Sequence, residues 1–231
     1  MNASEEFKML REKTGLTVRE FCKKCVIGKT SYQLYSDGSN DLRDIRVETA
    51  LQMFDIFGVD IEQFYDKHFH FKEEMNTAIH DWNVKHPRNY NYKDLKLKFV
   101  NRLSTMKKRL DPADKVLEEI KSYQIEVFKV VKAADGLISE DDYQRYILDL
   151  SYRIRKFQTK REEQKPLYDA MLHTDYSITD LSDIMNLSRI HLRRIMINTD
   201  HLAKMKIISY LRLCYVLNVN PQKCFDEYSI Q

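Results

Sequence analysis

Apolar residues in much of the chain recur every three or four positions, which is the spacing of one buried face of an α-helix. Stripes of this kind occupy residues 71–82, 95–110, 116–134 and 143–157. Gly (5) and Pro (4) are scarce, so tight turns and long loops are disfavoured. The pattern therefore predicts an all-α fold, and 231 residues are enough for two or three small domains.

Residues 16–38 begin with a short predicted helix. Thr17 followed by Glu20 is a capping-box pattern, in which the two side chains bond each other's backbone at a helix N-terminus. Phe21 and Cys25 lie four positions apart and share one face of the helix. This stretch therefore predicts a helix that starts after Thr17 and packs through one apolar face.

A second short helix is predicted directly after the first. Residues 26–28 read Val-Ile-Gly and interrupt the helical register. The new helix begins at Lys29, has Tyr32 and Tyr35 as its inward pair, and stops at the Asp-Gly sequence of residues 37–38. Two short helices that face each other across a tight turn form a helix-turn-helix.

This stretch resembles the phage-repressor-like (lambda-repressor-like) helix-turn-helix family of DNA-binding proteins. The resemblance covers about residues 7–65, with a preceding helix at 7–12 and later helices within 47–64. It implies five short helices, and it implies that the second helix of the motif lies in the major groove of DNA. Val18 and Val26 depart from the family, which often has a phosphate-binding polar residue and usually a turn glycine there.

The outward side chains of this second helix suit DNA. The resemblance places Lys29, Thr30 and Gln33 outward, with Ser31 and Ser36 nearer the DNA backbone. Lysine donates to guanine acceptors, glutamine pairs with adenine through two hydrogen bonds, and threonine offers a hydroxyl and a methyl group. The alternative interpretation, that these are ordinary solvated helix residues, stays open.

The chain repeats itself with an offset of 160 positions. Thr17 to Tyr65 align without a gap on the later sequence, and apolar residues fall on apolar residues at nearly every inward position. Asn218 falls on Gly58, and both residue types tolerate the left-handed conformation that ends a helix. The alignment therefore predicts a second copy of the motif at about residues 167–225.

The second copy has its own predicted recognition helix, Ser188 to Ile197, with Ser188 as the N-cap. Its arginines suit DNA, whereas Ile190 is unusual at a position facing base edges. Two interpretations remain for this copy: a DNA-contacting head, or a module for protein binding or dimerisation. The candidate DNA-binding residues of the two copies are Thr17, Lys29, Thr30, Ser31, Gln33, Ser36, Arg189, Arg193 and Arg194.

The two motifs and the region between them give three predicted domains, which differ in charge although the formal net charge is only +3. Residues 1–65, the helix-turn-helix domain, carry nine basic and eleven acidic side chains. Residues 66–165, predicted as a central basic helical bundle, carry 22 basic and 17 acidic side chains. Residues 166–231, the second helix-turn-helix-like domain, carry seven of each. The net −2 of the first domain is unfavourable for phosphate contact.

The central bundle contains a possible dimerisation surface. A helix with basic outer positions is predicted from about 93 to 110, and Asp111-Pro112 is a start signal for the next helix. That helix has apolar residues in a heptad pattern, which is typical of helix-to-helix seams. The seam residues are Val116, Ile120, Tyr123, Val127, Val130 and Ala134. Packing within one chain and packing between two chains are both consistent with this seam.

Few residues suggest other chemistry. Cys22 and Cys25 have the spacing of a metal or redox site, but no second pair of ligands lies nearby in sequence. Both fall on inward positions, as do Cys214 and Cys224, so we interpret all four as small core residues. No glycine-rich phosphate loop, nucleophile elbow or paired-carboxylate arrangement is found. We therefore expect no enzyme activity, no cofactor and no metal.

We expect a sequence-specific, DNA-binding transcriptional regulator, specifically a repressor. The resemblance suggests a phage or other mobile element, and a homodimer that blocks polymerase by holding two half-sites of double-stranded DNA. A protein antirepressor or inducer is a further expected partner. The alternative function is a protein-binding adaptor or inhibitor, and a small-ligand sensor in the central bundle is a third.

The same sequence bears on localisation. No run of about 18 apolar residues is present, so no membrane-spanning segment is predicted. The first ten residues are acidic and polar, unlike a signal peptide. We therefore expect a cytoplasmic protein.

Overall fold

The computed structural model describes residues 1–87, 91–107, 115–158, 166–174 and 176–229. Within these ranges the secondary structure consists of helices and two isolated antiparallel bridges, with no strand. The predicted all-α fold class is therefore confirmed. None of the helices in these ranges combines the length and apolar character that crossing a membrane requires.

The helices of the first 85 residues are α1 (Ala3–Lys13), α2 (Val18–Lys24), α3 (Lys29–Ser36), the 3-10 helix η1 (Leu42–Asp44), α4 (Val47–Phe57), α5 (Ile61–Phe69) and α6 (Phe71–Lys85). The middle of the chain forms α7 (Tyr92–Lys107), α8 (Lys115–Ala133), α9 (Glu140–Gln158) and α10 (Pro166–Leu172). The last part forms α11 (Ile178–Met185), α12 (Arg189–Ile197), α13 (Thr199–Ala203), α14 (Ile207–Leu217) and α15 (Pro221–Ser229).

The chain forms two compact units. One, called the paired unit below, combines Met1–Trp82 with Ile178–Gln231, and the other, the middle unit, is Asn83–Ser177. These boundaries differ from the predicted ones at 65/66 and 165/166. The predicted start of the second helix-turn-helix-like domain, including α10, therefore belongs to the middle unit.

Packing of α6 on α14 explains why the paired unit extends to Trp82. The Phe71 and Tyr215 rings meet edge to face with centroids 6.2 Å apart. The Tyr215 hydroxyl donates to Asn76 Oδ1 at 2.8 Å, and Arg212 forms an ion pair with Glu74. These contacts join a helix from the first part of the chain to one from the last part.

The helix predicted to continue over residues 66–86 is broken at His70. His70 has φ +49°, and its N–H donates to the Asp66 carbonyl, which closes α5. The Asp66 carboxylate accepts from the Lys72 N–H at 3.0 Å and begins the next helix. The prediction of one continuous helix was wrong because this local capping redirects the chain, and it places Phe71 in the core.

The N-terminal part of the paired unit has an aromatic core. Phe21 stacks on Phe57 with ring centroids 5.2 Å apart and meets Tyr32 edge to face at 5.4 Å. Phe7 from α1 contacts Tyr32 at 5.9 Å, and Phe54 contacts Phe57 at 5.4 Å. This cluster holds α1, α2, α3 and α4 together, so α3 is fixed by its inner face.

The middle unit buries the seam of α8 against α7 and α9. The buried cluster consists of Leu95, Phe99, Ile120, Tyr123, Val127, Val131, Tyr143, Ile147 and Leu150. The predicted inward positions Val130 and Ala134 are instead exposed, and Val131 is buried. The stripe turns to Val131 because a straight helix has 3.6 residues per turn and drifts away from a strict heptad.

Other helices of the same chain thus cover the seam residues Ile120, Tyr123 and Val127. This arrangement corresponds to packing of the seam within one chain. Other predictions for this region lie outside the described residues. They are the Asp111-Pro112 helix start, the end of the basic helix at residues 108–110, and the side chain of Val116.

Candidate nucleic-acid interface

The first predicted motif consists of α2, a tight turn and α3. Thr17 caps α2 in the predicted capping box with Glu20. The turn has Val26 in the left-handed region at φ +50°, and the Ile27 N–H donates to the Cys22 carbonyl at 3.1 Å. The backbone therefore leaves α2 and enters α3 across only four residues, 25–28.

The second predicted motif has the same backbone, 160 positions later. Asn186 has φ +50°, and the Leu187 N–H donates to the Ser182 carbonyl at 3.0 Å. Ser188 is the N-cap of α12, as predicted, and its Oγ accepts from the His191 N–H. We call residues 18–69 the first repeat and residues 178–229 the second repeat.

Later elements follow the same offset. The bounds of α14 and α15 are those of α4 and α5 shifted by 160 positions. Gly58 ends α4 at φ +64° and Asn218 ends α14 at φ +53°, so the predicted equivalence of these two caps is confirmed. Positions that align in sequence at the offset of 160 thus have the same helix bounds and the same cap conformations in these later elements.

The outward face of α3 is accessible. Lys29, Thr30, Ser31 and Gln33 are exposed, while Tyr32 is buried between them. Ser36 is partly buried, and its hydroxyl donates to the Gln33 carbonyl at 3.0 Å. Four of the five predicted contact residues of α3 therefore reach solvent freely.

Thr17 already has an intramolecular role. Its hydroxyl donates to the Glu20 carboxylate at 2.6 Å, and this hydrogen bond lowers the pKa of Glu20. The capping box holds an ionised carboxylate where a phosphate would approach the start of α2, which is electrostatically unfavourable. Thr17 is thus the least suitable of the predicted contact residues in the first repeat.

The outward face of α12 is more cationic than that of α3. Arg189, Arg193 and Arg194 are exposed, and no acidic side chain in the described part of the chain pairs with them. Ile190 lies among them with 68% of its surface exposed. The second repeat carries seven basic and five acidic side chains, whereas the first carries seven and nine.

The two repeats meet at equivalent residues. Arg46 and Lys206, which are 160 positions apart, form an isolated antiparallel bridge. On one side the Val47 N–H donates to the Met205 carbonyl at 2.9 Å, and on the other the Ile207 N–H donates to the Ile45 carbonyl at 2.8 Å. We call residues 45–47 and 205–207 the junction.

The contacts around the junction are largely reciprocal. α4 of the first repeat packs on α13 of the second, and α14 of the second packs on η1 of the first. With the offset of 160 positions, η1 overlaps the end of α13. One contact is not reciprocal: Lys206 pairs with Asp44 at 2.8 Å, whereas the equivalent positions, Arg46 and Lys204, are both basic.

The last turn of α3 lies beside the junction. Burial raises the pKa of the Tyr35 hydroxyl, and the nearby charges of Asp44, Arg46 and Lys206 also act on it. Sequence reasoning did not identify the junction as functional. A signal was present, because both copies place a basic residue between two branched or long apolar ones, Ile-Arg-Val and Met-Lys-Ile.

The four cysteines belong to the core. All are buried and free of disulfides. Burial raises the pKa of the Cys25 thiol to about 12, so the thiolate needed for metal binding or nucleophilic attack is scarce near neutral pH. In the described ranges no three His, Cys, Asp or Glu side chains form a group that suits a metal ion.

Comparison with protein-family models, curated proteins and solved structures finds no match to the chain. The functional interpretation therefore depends on the residues and geometry of the two repeats.

Proposed function

We propose that this protein is a sequence-specific DNA-binding transcriptional regulator, acting as a repressor through two helix-turn-helix heads. The observation that carries the proposal is the pair α3 and α12. Each helix is anchored by one buried face and presents exposed polar or cationic side chains at the positions that read base edges in the phage-repressor-like family. By analogy, the regulated genes belong to a phage or other mobile element.

The side chains on the two helices suit different bases. Gln33 in α3 can accept and donate to one adenine edge, and Lys29 can donate to guanine. Arg189 and Arg193 in α12 can each bond a guanine through two parallel hydrogen bonds. Occupation of the operator by both heads would exclude polymerase, which is repression by occlusion.

The proposal is tested by selecting bound sequences from random duplex DNA and then measuring affinity for the selected site and a scrambled one. We expect Gln33→Ala and Arg193→Ala each to weaken binding to the selected site by about 1–3 kcal/mol. Binding to the scrambled duplex should change little. Measurements at two salt concentrations separate base contact from phosphate contact.

Two control variants remove similar side chains elsewhere on the repeats. Gln63→Ala on α5 and Lys223→Ala on α15 change exposed residues outside the predicted recognition helices, so affinity should be unaltered. Equal losses on both duplexes for Gln33→Ala and Arg193→Ala would mean phosphate contact only. No loss from either variant would refute base reading by α3 and α12.

A protein-binding adaptor is the second candidate function, favoured by the exposure of Ile190 on α12. A large apolar side chain in the centre of an exposed face is more typical of a protein interface than of a phosphate-lined groove. In that case heparin would not retain the protein at moderate salt. Arg193→Ala would then leave DNA affinity unchanged.

A further inference from the structure

We infer that one chain is a covalent pseudo-dimer, whose two repeats are related by a local two-fold axis and bind two unlike, inverted half-sites of one DNA duplex. The DNA part of this inference rests on the proposed function. The pseudo-dimer itself rests on the junction.

The junction hydrogen bonds have the symmetry of a closed dimer. In a two-fold interface, if residue i contacts residue j of the partner, then j contacts i. Val47 donates to Met205 while Ile207 donates to Ile45, and the offset of 160 positions exchanges these two bonds. A head-to-tail arrangement of the repeats would satisfy one of them and leave the other unmade.

Burial shows that the junction is a core contact. Ile45, Val47, Met205 and Ile207 are each less than 5% exposed, while Arg46 and Lys206 between them reach solvent. The apolar surface of each repeat at the junction is therefore already covered by the other repeat and is not free to contact a second chain. A homodimer is not needed to supply two heads.

A second connection also holds the repeats together. Helix α6 follows the first repeat in the chain and packs on α14 of the second, through the Glu74–Arg212 ion pair and the Tyr215–Asn76 hydrogen bond. This contact fixes the pairing of the repeats within a single chain.

Two-fold symmetry determines the arrangement of the DNA target. A protein two-fold axis coincides with a two-fold axis of the duplex, so the half-sites are inverted and have one fixed spacing. The recognition faces differ, because α3 carries Lys29 and Gln33 where α12 carries Arg189 and Arg193. The operator should therefore be an imperfect palindrome, with a glutamine-read adenine in one half and arginine-read guanine in the other.

The junction can be tested without DNA. Arg46 and Lys206 are the non-hydrogen-bonded pair of the bridge, a position where Cα atoms are about 4.5 Å apart and suit a disulfide. The double variant Arg46→Cys plus Lys206→Cys should oxidise to a disulfide-linked monomer, detected by intact mass and non-reducing electrophoresis. Arg46→Cys alone is the control and should form no intramolecular link. Covalent dimers from the double variant, or no link, would overturn the pseudo-dimer.

The DNA part is tested with the full-length protein and the selected duplex. Native mass spectrometry should show one chain per duplex. Gln33→Ala should alter protection from cleavage in one half-site and Arg193→Ala in the other. Inserting five base pairs between the half-sites turns one of them by about half a turn, so affinity should fall at least about tenfold.

The outcomes separate the two claims. Two chains per duplex, identical half-sites, or tolerance of the insertion would overturn the inference and leave the proposed function intact. Failure to select any sequence would remove the proposed function and the DNA part together. A disulfide-linked monomer would then still establish that the two repeats pair at the junction within one chain.

Discussion

Val26 lies in a backbone conformation that its side chain disfavours. Its φ is +50°, and the residue is 76% exposed, so packing compensates little for the strain. The left-handed region costs about 1–2 kcal/mol for an ordinary L-residue, and a β-branched residue suits it least. The left-handed turn at this valine is therefore a site of local strain.

Val26→Gly should therefore raise the free energy of unfolding by about 0.5–1 kcal/mol, since relief of the strain exceeds the added chain entropy of glycine. Urea denaturation followed by circular dichroism measures the change. Asn186→Gly is the matched control, because Asn186 has the same φ and asparagine tolerates it, so its effect should be smaller. A loss of stability in Val26→Gly would contradict this account.

Helix α8 shows how one element is shared between two neighbours. Its buried residues Ile120, Tyr123, Val127 and Val131 contact a cluster from α7 and α9, and Val130 is 58% exposed. The seam thus stabilises the middle unit itself. The basic outer positions of α7 are a separate feature, and Lys93 and Lys96 there are exposed.

Two substitutions of the same kind on α8 distinguish its faces. Val127→Asp places an unpaired charge in the core and should lower the free energy of unfolding of the middle unit by about 3–5 kcal/mol. Val130→Asp, three positions later on the exposed face, should change it by less than about 0.5 kcal/mol. Hydrogen exchange of the α8 and α9 amides reports on each variant. Equal tolerance of both variants, with loss of a dimer, would favour an intermolecular seam instead.

On the scale of the whole molecule, the two ends of the chain form one unit, and the middle unit lies between them in sequence. Val47 and Met205 are far apart along the chain, yet their hydrogen bond belongs to the core of the paired unit. Stability of either repeat is therefore expected to depend on the other.

Val47→Pro tests this dependence. Position 47 is the first residue of α4, where proline is tolerated, and Arg46 before it has the extended ψ of 144° that proline requires. The substitution removes the N–H that donates to Met205 and leaves a buried carbonyl unsatisfied. We expect the free energy of unfolding to fall by about 1–3 kcal/mol more in Val47→Pro than in the control variant, Ile61→Pro.

The control is Ile61→Pro, at the first residue of α5. It is also a buried aliphatic residue, and the second repeat already has Pro221 at the equivalent position. Ile61→Pro removes more apolar volume than Val47→Pro does. A larger loss of stability in Val47→Pro therefore cannot come from lost packing volume. Equal losses in thermal denaturation would show that the junction hydrogen bond contributes nothing to stability.

Local features of the fold were predictable from sequence. The caps at Thr17 and Ser188 and the left-handed end at Asn218 depend on contacts within a few residues of chain. The break at His70 was missed because the Asp66 side chain competes with helix continuation, a local effect that apolar periodicity does not record.

The sequence by itself determined that the chain is helical, that it contains two related segments, and which side chains of α3 and α12 face outward, because helical period and capping are local properties. The tertiary structure alone decided that the two segments pair about Arg46 and Lys206, and that Val131 rather than Val130 enters the core of the middle unit. Both depend on which distant surfaces cover an apolar face. Periodicity shows that a face must be buried, and only packing selects the partner that buries it.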